Sequence, residues 1–265
     1  MKKLFAIAAI AALISVSALA QTANTPATNW TGYYAGLNTG GTIGTSNARI
    51  ATVYLTTTAE YFPQAYAAND VAAFNSAGNQ NLTSVGYAGG LQFGYNRQIA
   101  KWVVGTEADY GALAASKTTS QWVAYPNNAP YGGTLTQRVS TDWLSTVRAR
   151  VGHTYGKRTL LFASAGVAET TIHYYSQFQD WDDTAECASP KVLKTGWIIG
   201  GGAEYKLDKH WSARAEYLYA DFGQVSSAGN VLSAIGGSGT FPSMPFTHVA
   251  TLQSNIVRFG VNYRF

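Results

Sequence analysis

Apolar residues alternate with small or polar ones along much of this chain, with a period of two. From Val85 to Asn96 the odd positions are Val85, Tyr87, Gly89, Leu91, Phe93 and Tyr95. The even ones are Gly86, Ala88, Gly90, Gln92, Gly94 and Asn96. In a strand these two sets face opposite ways. The same alternation predicts strands over Tyr33–Gly40, Trp102–Tyr110, Trp143–Gly152, Trp197–Tyr205, Trp211–Tyr219 and Val257–Phe265. Leu160–Ala168 is apolar in both phases, so it reads as a strand of undetermined facing. Eight such segments of roughly 9–12 residues have the length a tilted strand needs to cross a bilayer. An even number is what a single-chain membrane barrel requires.

The connections divide into two kinds. Arg97–Lys101, His153–Arg158 and Lys206–His210 are short. Gly41–Ser84, Gly111–Asp142, Glu169–Lys194 and Ala220–Gln253 are long and rich in Ser, Thr, Asn, Gly and Pro. Short and long connections alternate strictly. The expectation is therefore an all-β, eight-stranded antiparallel transmembrane barrel with short periplasmic turns and four long extracellular loops. Extra pairing near Arg49 to Thr57 would make it ten strands. Aromatics cluster at the segment ends, at Trp30, Tyr33, Tyr95, Trp102, Tyr110, Trp143, Tyr205, Trp211 and Tyr219, where two interfacial girdles would lie.

Composition and the chain ends sharpen this picture. Only 12% of residues are charged, against 27 Gly, 17 Tyr, 11 Phe and 7 Trp, which suits strands with lipid outside and a tight interior. Residues 1–20 have the three-part layout of a cleaved signal peptide. Lys2 and Lys3 are followed by an apolar run, and Ala18-Leu19-Ala20 precedes a cut before Gln21. The run is shorter than the ~20 residues of a spanning helix. The expected organisation is residues 1–20 as signal and 21–265 as one barrel domain. Two of the 18 lysines and arginines fall in the signal, leaving 16 against 14 acids. That balance, without a basic stripe, gives no reason to expect nucleic acid. The single cysteine, Cys187, precludes an intramolecular disulfide and reads as an exposed loop thiol.

The charged residues within the predicted strands all share the phase opposite to the apolar one. The candidate lumen set among them is Glu107, Asp109, Arg148, Arg150, Glu204, Arg214, Glu216 and Arg258. A charge on the lipid face would cost roughly 2–4 kcal/mol at the midplane, so these eight should line the lumen. An eight-stranded barrel is just wide enough for side chains to fill. A closed, salt-bridged interior is expected, with a narrow channel gated by those pairs as the alternative.

The last nine residues place Val257, Phe259, Val261, Tyr263 and Phe265 on one face, ending on an aromatic. This resembles the C-terminal signature by which outer-membrane proteins are recognised by the barrel-assembly machinery. The chain is similar to the outer-membrane protein A-like small β-barrel family, in its porin-like branch from alphaproteobacteria. Trp30-Thr31-Gly32-Tyr33-Tyr34-Ala35-Gly36-Leu37-Asn38 resembles its first strand. Gly105–Tyr110, Thr146–Gly152, Gly200–Tyr205 and Arg214–Asp221 follow in the family's order. The resemblance implies the cell outer membrane of a Gram-negative bacterium, with outer-membrane lipid and lipopolysaccharide as surroundings. A closed small barrel needs no partner, so a monomer is the expectation, with oligomeric state otherwise open. The family's peptidoglycan-binding domain is not seen. The long connections match nothing familiar.

Catalytic chemistry is not legible. His153 and His210 fall in predicted periplasmic turns, and His173 and His248 at the edges of predicted outward loops. His173 lies near Asp180, Asp182 and Asp183 in sequence without forming a catalytic motif. These histidines, and the Asp180-Trp181-Asp182-Asp183 run, read as solvated loop residues. Pro126–Gly133 and Gly236–Pro245 read as loop chemistry. No enzyme, metal or cofactor is expected. The expected role is a structural barrel that supports the outer membrane and displays loops. A weak porin for small solutes and a loop-based adhesin or host-facing protein are the alternatives.

Overall fold

The computed structural model describes residues 29–53, 67–127, 129–234 and 240–265; the predicted signal peptide lies outside them. The strands are β1 (Gly32–Thr52), β2 (Asn79–Ile99), β3 (Trp102–Ala124), β4 (Gly132–Tyr155), β5 (Thr159–Asp180), β6 (Thr184–Ala188), β7 (Lys191–Lys206), β8 (Trp211–Ala234) and β9 (Thr240–Arg264), with one helix, α1 (Ala67–Ala77). Neighbouring strands pair antiparallel around a closed ring: β1–β2–β3–β4–β5–β7–β8–β9, and β9 back onto β1. The seam pairs Tyr34 with Arg264 and Gly40 with Arg258.

The ninth strand does not disturb the eight-strand ring. β6 and β7 both pair with β5, and both with β8. They are two lengths of one wall strand, interrupted at Ser189–Pro190. Pro190 has no amide hydrogen to give to a ladder, while its carbonyl still accepts from Tyr174 N at 3.1 Å. Arg49–Thr52, a candidate for extra pairing, continues β1 against β9; residues 54–57 lie outside the described segments.

The strands run well past their predicted outer ends. Much of the sequence read as long loops is wall, including Thr42–Thr52, Ala115–Ala124, Gly132–Thr141 and Thr170–Asp180. The polarity of the two faces explains this. In the lower barrel the outward face is apolar and the inward face charged. In the extension the outward face carries Asn47, Arg49, Asn81, Thr83, Arg138 and Gln177, while Ile50, Leu82, Leu135, Phe178 and Phe246 point inward and are buried. Ladder irregularities mark the changeover at Ala112/Ala115, Thr141/Ser145 and Asp221/Gln224. Bulges of this kind re-aim side chains at barrel rims.

Outward aromatics bracket the apolar zone. Trp102 and Tyr110, Trp197 and Tyr205, and Trp211 and Tyr219 stand eight positions apart on their strands. At ~3.3 Å per residue and a tilt of about 40°, that is a band of about 20 Å, close to the apolar belt of an outer-membrane barrel. Trp143 joins the upper row beside Tyr110, with ring centroids 6.1 Å apart. Trp30 departs from the girdle expectation. It is 1% exposed, packs with Val103 and Leu160, and lies against Lys206 and Arg264 at 4.8 and 4.9 Å from the ring centroid. The cations draw it inside the lower barrel end instead of leaving it at the interface.

Candidate functional site: the filled lumen

The strand phase delivers charges to the interior, and the register stacks them at one level. Glu107 is opposite Arg148 in the β3–β4 ladder, Glu204 opposite Arg214 in β7–β8, and Glu216 opposite Arg258 in β8–β9. The structure brings all eight candidate lumen residues together, each no more than 6% exposed. Arg148 spans the lumen. Its Nη2 is 2.5 Å from Glu107 Oε1 and 2.7 Å from Asp109 Oδ2, and its Nη1 is 2.7 Å from Glu216 Oε1. Arg214 reaches Glu107 at 2.5 Å and Glu216 at 2.7 Å. Arg258 reaches Asp109 at 2.7 Å and Glu216 at 2.9 Å. Arg150 pairs with Glu204 and stands 3.9 Å from Glu107.

Neutral groups complete the set. Tyr34 Oη donates to Glu107 at 2.6 Å, Thr146 to Asp109 at 2.9 Å, and Ser212 to Glu204 at 2.6 Å. The Phe162 ring lies 3.8 Å from the Arg150 guanidinium carbon and 5.0 Å from that of Arg214. Phe162, on the strand of undetermined facing, therefore points inward. Four carboxylates meeting four guanidiniums balance their charge, and multiple hydrogen bonds offset the desolvation that a buried pair alone would suffer. Sequence reading missed Tyr34, Phe162, Gln92 and Asn262 because they are uncharged. For Tyr34, Gln92 and Asn262 the inward phase was the available signal; Phe162, on a strand apolar in both phases, had none.

The lumen is layered and filled along its length. Trp30 and its cations occupy the lower end, and the charge layer lies above them. An apolar layer follows, which includes Leu113, Leu144, Ile172, Leu218 and Ile256. At the outer end α1 packs against the walls: Phe74 sits edge-on to Phe178 at 4.9 Å and to Phe246 at 5.5 Å. The helix end is tied down as well, with Gln121 and Gln137 donating to the carbonyls of Ala77 and Gly78. The pocket beside Asn38, Asp109 and Arg258 holds about 10 Å³, at the lower edge of the roughly 10–15 Å³ one water needs.

Three outer residues differ from their reading as solvated loop positions. His248 is fully buried, with Nε2 3.0 Å from Glu186 Oε1. Space for the pair requires Gly229, where a Cβ would come within 2.4 Å of His248 Nε2. His173 lies on β5, with Nε2 2.7 Å from Asp142 Oδ2 and not beside the later aspartates. Asp180 is buried and accepts from Tyr125 Oη and Trp181 N, both at 2.8 Å. Cys187 is an exposed thiol on β6. His153 meets Trp102 edge-on, and His210 stacks on Tyr263, both at strand ends beside the short turns. Among the described residues, no group of three or more His, Cys, Asp or Glu is placed to hold a metal.

Burial raises the Asp180 carboxyl to about 7. An unfolded carboxyl titrates near 4, so between those values the folded chain binds a proton that the unfolded chain releases. Stability contributed here is complete below about pH 4 and is lost as pH rises through about 7. Asp180→Asn is expected to flatten this loss and to raise the unfolding midpoint at pH 8, read by chemical denaturation at pH 5 and pH 8. Equal midpoint changes for wild type and variant would contradict it.

A closed ring, girdles eight residues apart and an apolar belt around a polar interior define an outer-membrane β-barrel. The chain belongs to the family described as outer membrane protein beta-barrel domain, whose model matches residues 6–265. It resides in the outer membrane of a Gram-negative cell. It is 29% identical over 191 residues to the "31 kDa outer-membrane immunogenic protein" of Brucella melitensis, covering 71% of this chain and 70% of that protein; the Brucella suis protein matches equally. Among solved structures, OprG from Pseudomonas aeruginosa aligns with a TM-score of 0.48 at 14% identity, over 91% of this chain and all of that one. Ail of Yersinia pestis aligns with a TM-score of 0.29 at 11% identity, over 86% of this chain and 98% of that one.

Proposed function

We propose that this protein is a closed, non-enzymatic structural barrel that reinforces the outer membrane and holds a rigid wall above it. The observation that carries this reading is the lumen, filled from Trp30 through the charge layer to α1. Val257, Phe259, Val261, Tyr263 and Phe265 all face outward on the closing strand, which supports their reading as the assembly signal presented to the insertion machinery. Among the described residues the ring has no unpaired wall strand, which supports a monomer within lipid and lipopolysaccharide. Purified, refolded protein in a planar bilayer is expected to show no steady single-channel current. Large, stable openings would favour the weak-porin reading instead.

A second reading has its own support. Trp122, Tyr131 and Trp181 are exposed at the outer tip. Tyr131 and Trp181 stack at 4.1 Å, and a Cβ on Gly132 would come within 2.8 Å of the Trp122 ring. Exposed aromatic clusters serve contact surfaces. Adhesion to host cells that is lost when these three residues are changed would favour a surface-binding role.

A further inference from the structure

We propose that the outer wall carries a binding site for the anionic, phosphorylated saccharide headgroup of an outer-leaflet glycolipid. The site is a groove of about 550 Å³, within the range of small-ligand sites. It lies on β3, β4 and β5, with Ser189 of the strand break on its rim. It is distinct from the lumen: Arg138, Ser140, Asp142, His173 and Tyr175 belong to the outward phase of their strands.

Height selects the occupant. Asp142 adjoins Trp143 of the upper girdle, and Trp143 Nε1 donates at 3.1 Å to Thr171, two residues before His173. Arg138 lies five residues beyond Trp143, so the groove starts at the membrane surface and rises roughly 15 Å along the strand. An outward-facing groove at that height meets the headgroups of the surrounding leaflet before any soluble partner does.

The lining chemistry fits the same occupant. Arg138 is exposed. Its Nε donates to Ser116 Oγ at 3.3 Å, and among the described residues it pairs with no carboxylate. Its two terminal amino groups can therefore take a phosphate in the bidentate way that guanidinium favours. Lys191 stands beside His173 in the next ladder, also exposed. The hydroxyls of Thr118, Thr136 and Ser140, together with Asp142, offer the mixed donors and acceptors that sugar hydroxyls require. Asp142 Oδ2 also lies 2.7 Å from Nε2 of His173, the residue directly opposite Ser140 in the ladder.

This inference deepens the lipid surroundings proposed above, and its test is independent of conductance. Diphosphorylated lipid A is titrated into detergent-folded protein and binding is read by native mass spectrometry, with dephosphorylated lipid A and inorganic phosphate as parallel arms. Wild type is expected to hold one lipid A preferentially. Arg138→Glu should weaken it about tenfold or more, Arg138→Gln less, and dephosphorylated lipid A should bind wild type as weakly as the variant binds the intact lipid. Arg49→Glu, an exposed basic position on β1 outside the groove, should leave binding unchanged. Heat-modifiable mobility on gels confirms that each variant is folded. Equal losses from Arg49→Glu and Arg138→Glu, unchanged binding in both Arg138 variants, or inorganic phosphate binding as tightly as lipid A would each overturn the assignment.

Discussion

Replacing Arg148 with alanine is expected to destabilise the detergent-folded barrel by about 3–5 kcal/mol, the usual cost of removing one partner from a buried ionic set. Arg148 is the centre of the layer: one guanidinium neutralises parts of Glu107, Asp109 and Glu216. Without it those three carboxylates face one another across the lumen with one guanidinium fewer between them. Arg214 and Arg258 still reach them, so loss of the fold is not expected, only a large drop in stability. The denaturant midpoint followed by tryptophan fluorescence measures it. Adding Glu107→Gln should recover part of the loss, because it removes one of the abandoned negative charges. A midpoint for Arg148→Ala within error of wild type would mean that the layer contributes nothing net.

That layer was partly legible in the sequence. Each of its eight residues sits in the inward phase of an alternating strand, and alternation is a local property. Who pairs with whom is not local. Glu107 meets Arg148 and Arg214 across 41 and 107 residues of chain, and those meetings depend on register and on which strands closure brings face to face. Trp30 shows the same limit. Its place inside the barrel depends on Lys206 and Arg264, far along the chain, while its sequence neighbourhood resembles an interfacial girdle.

The strand extensions were illegible for a different reason. Above the girdle the solvent face is water, so polar residues take the outward positions and apolar ones turn inward. On β4 the irregularity between Thr141 and Ser145 moves the inward phase from odd to even positions at that boundary. A reading that follows one outward-apolar phase sees the alternation stop there and finds a Ser/Thr-rich stretch, which has the composition of a loop. The strand-like spacing of Leu135, Gln137 and Val139 is present in the sequence, but with the polarity of a soluble sheet. His248 and Asp180 were misread with it, since a loop position implies solvent and an inward strand position does not.

Closure itself should be the most sensitive step, and the seam between β1 and β9 is where to test it. Gly40 faces inward opposite Arg258. A Cβ there would fall 2.0 Å from the Val257 carbonyl oxygen and 2.6 Å from the Arg258 Cα. These are backbone atoms, which cannot rotate away as a side chain would. Gly40→Val is therefore expected to hold the first and last strands apart, displace Arg258 from Asp109 and Glu216, and leave two open edges in lipid, where unpaired backbone groups cost several kcal/mol each. The variant should fail to give the heat-modifiable folded form in detergent. The adjacent residue supplies the control. Gly41 faces outward, and a Cβ there meets only the Gly86 carbonyl at 3.7 Å, so Gly41→Val should fold as wild type does. If both variants fold equally well, the seam tolerates separation, and closure depends on the charge layer more than on the close approach of the strands.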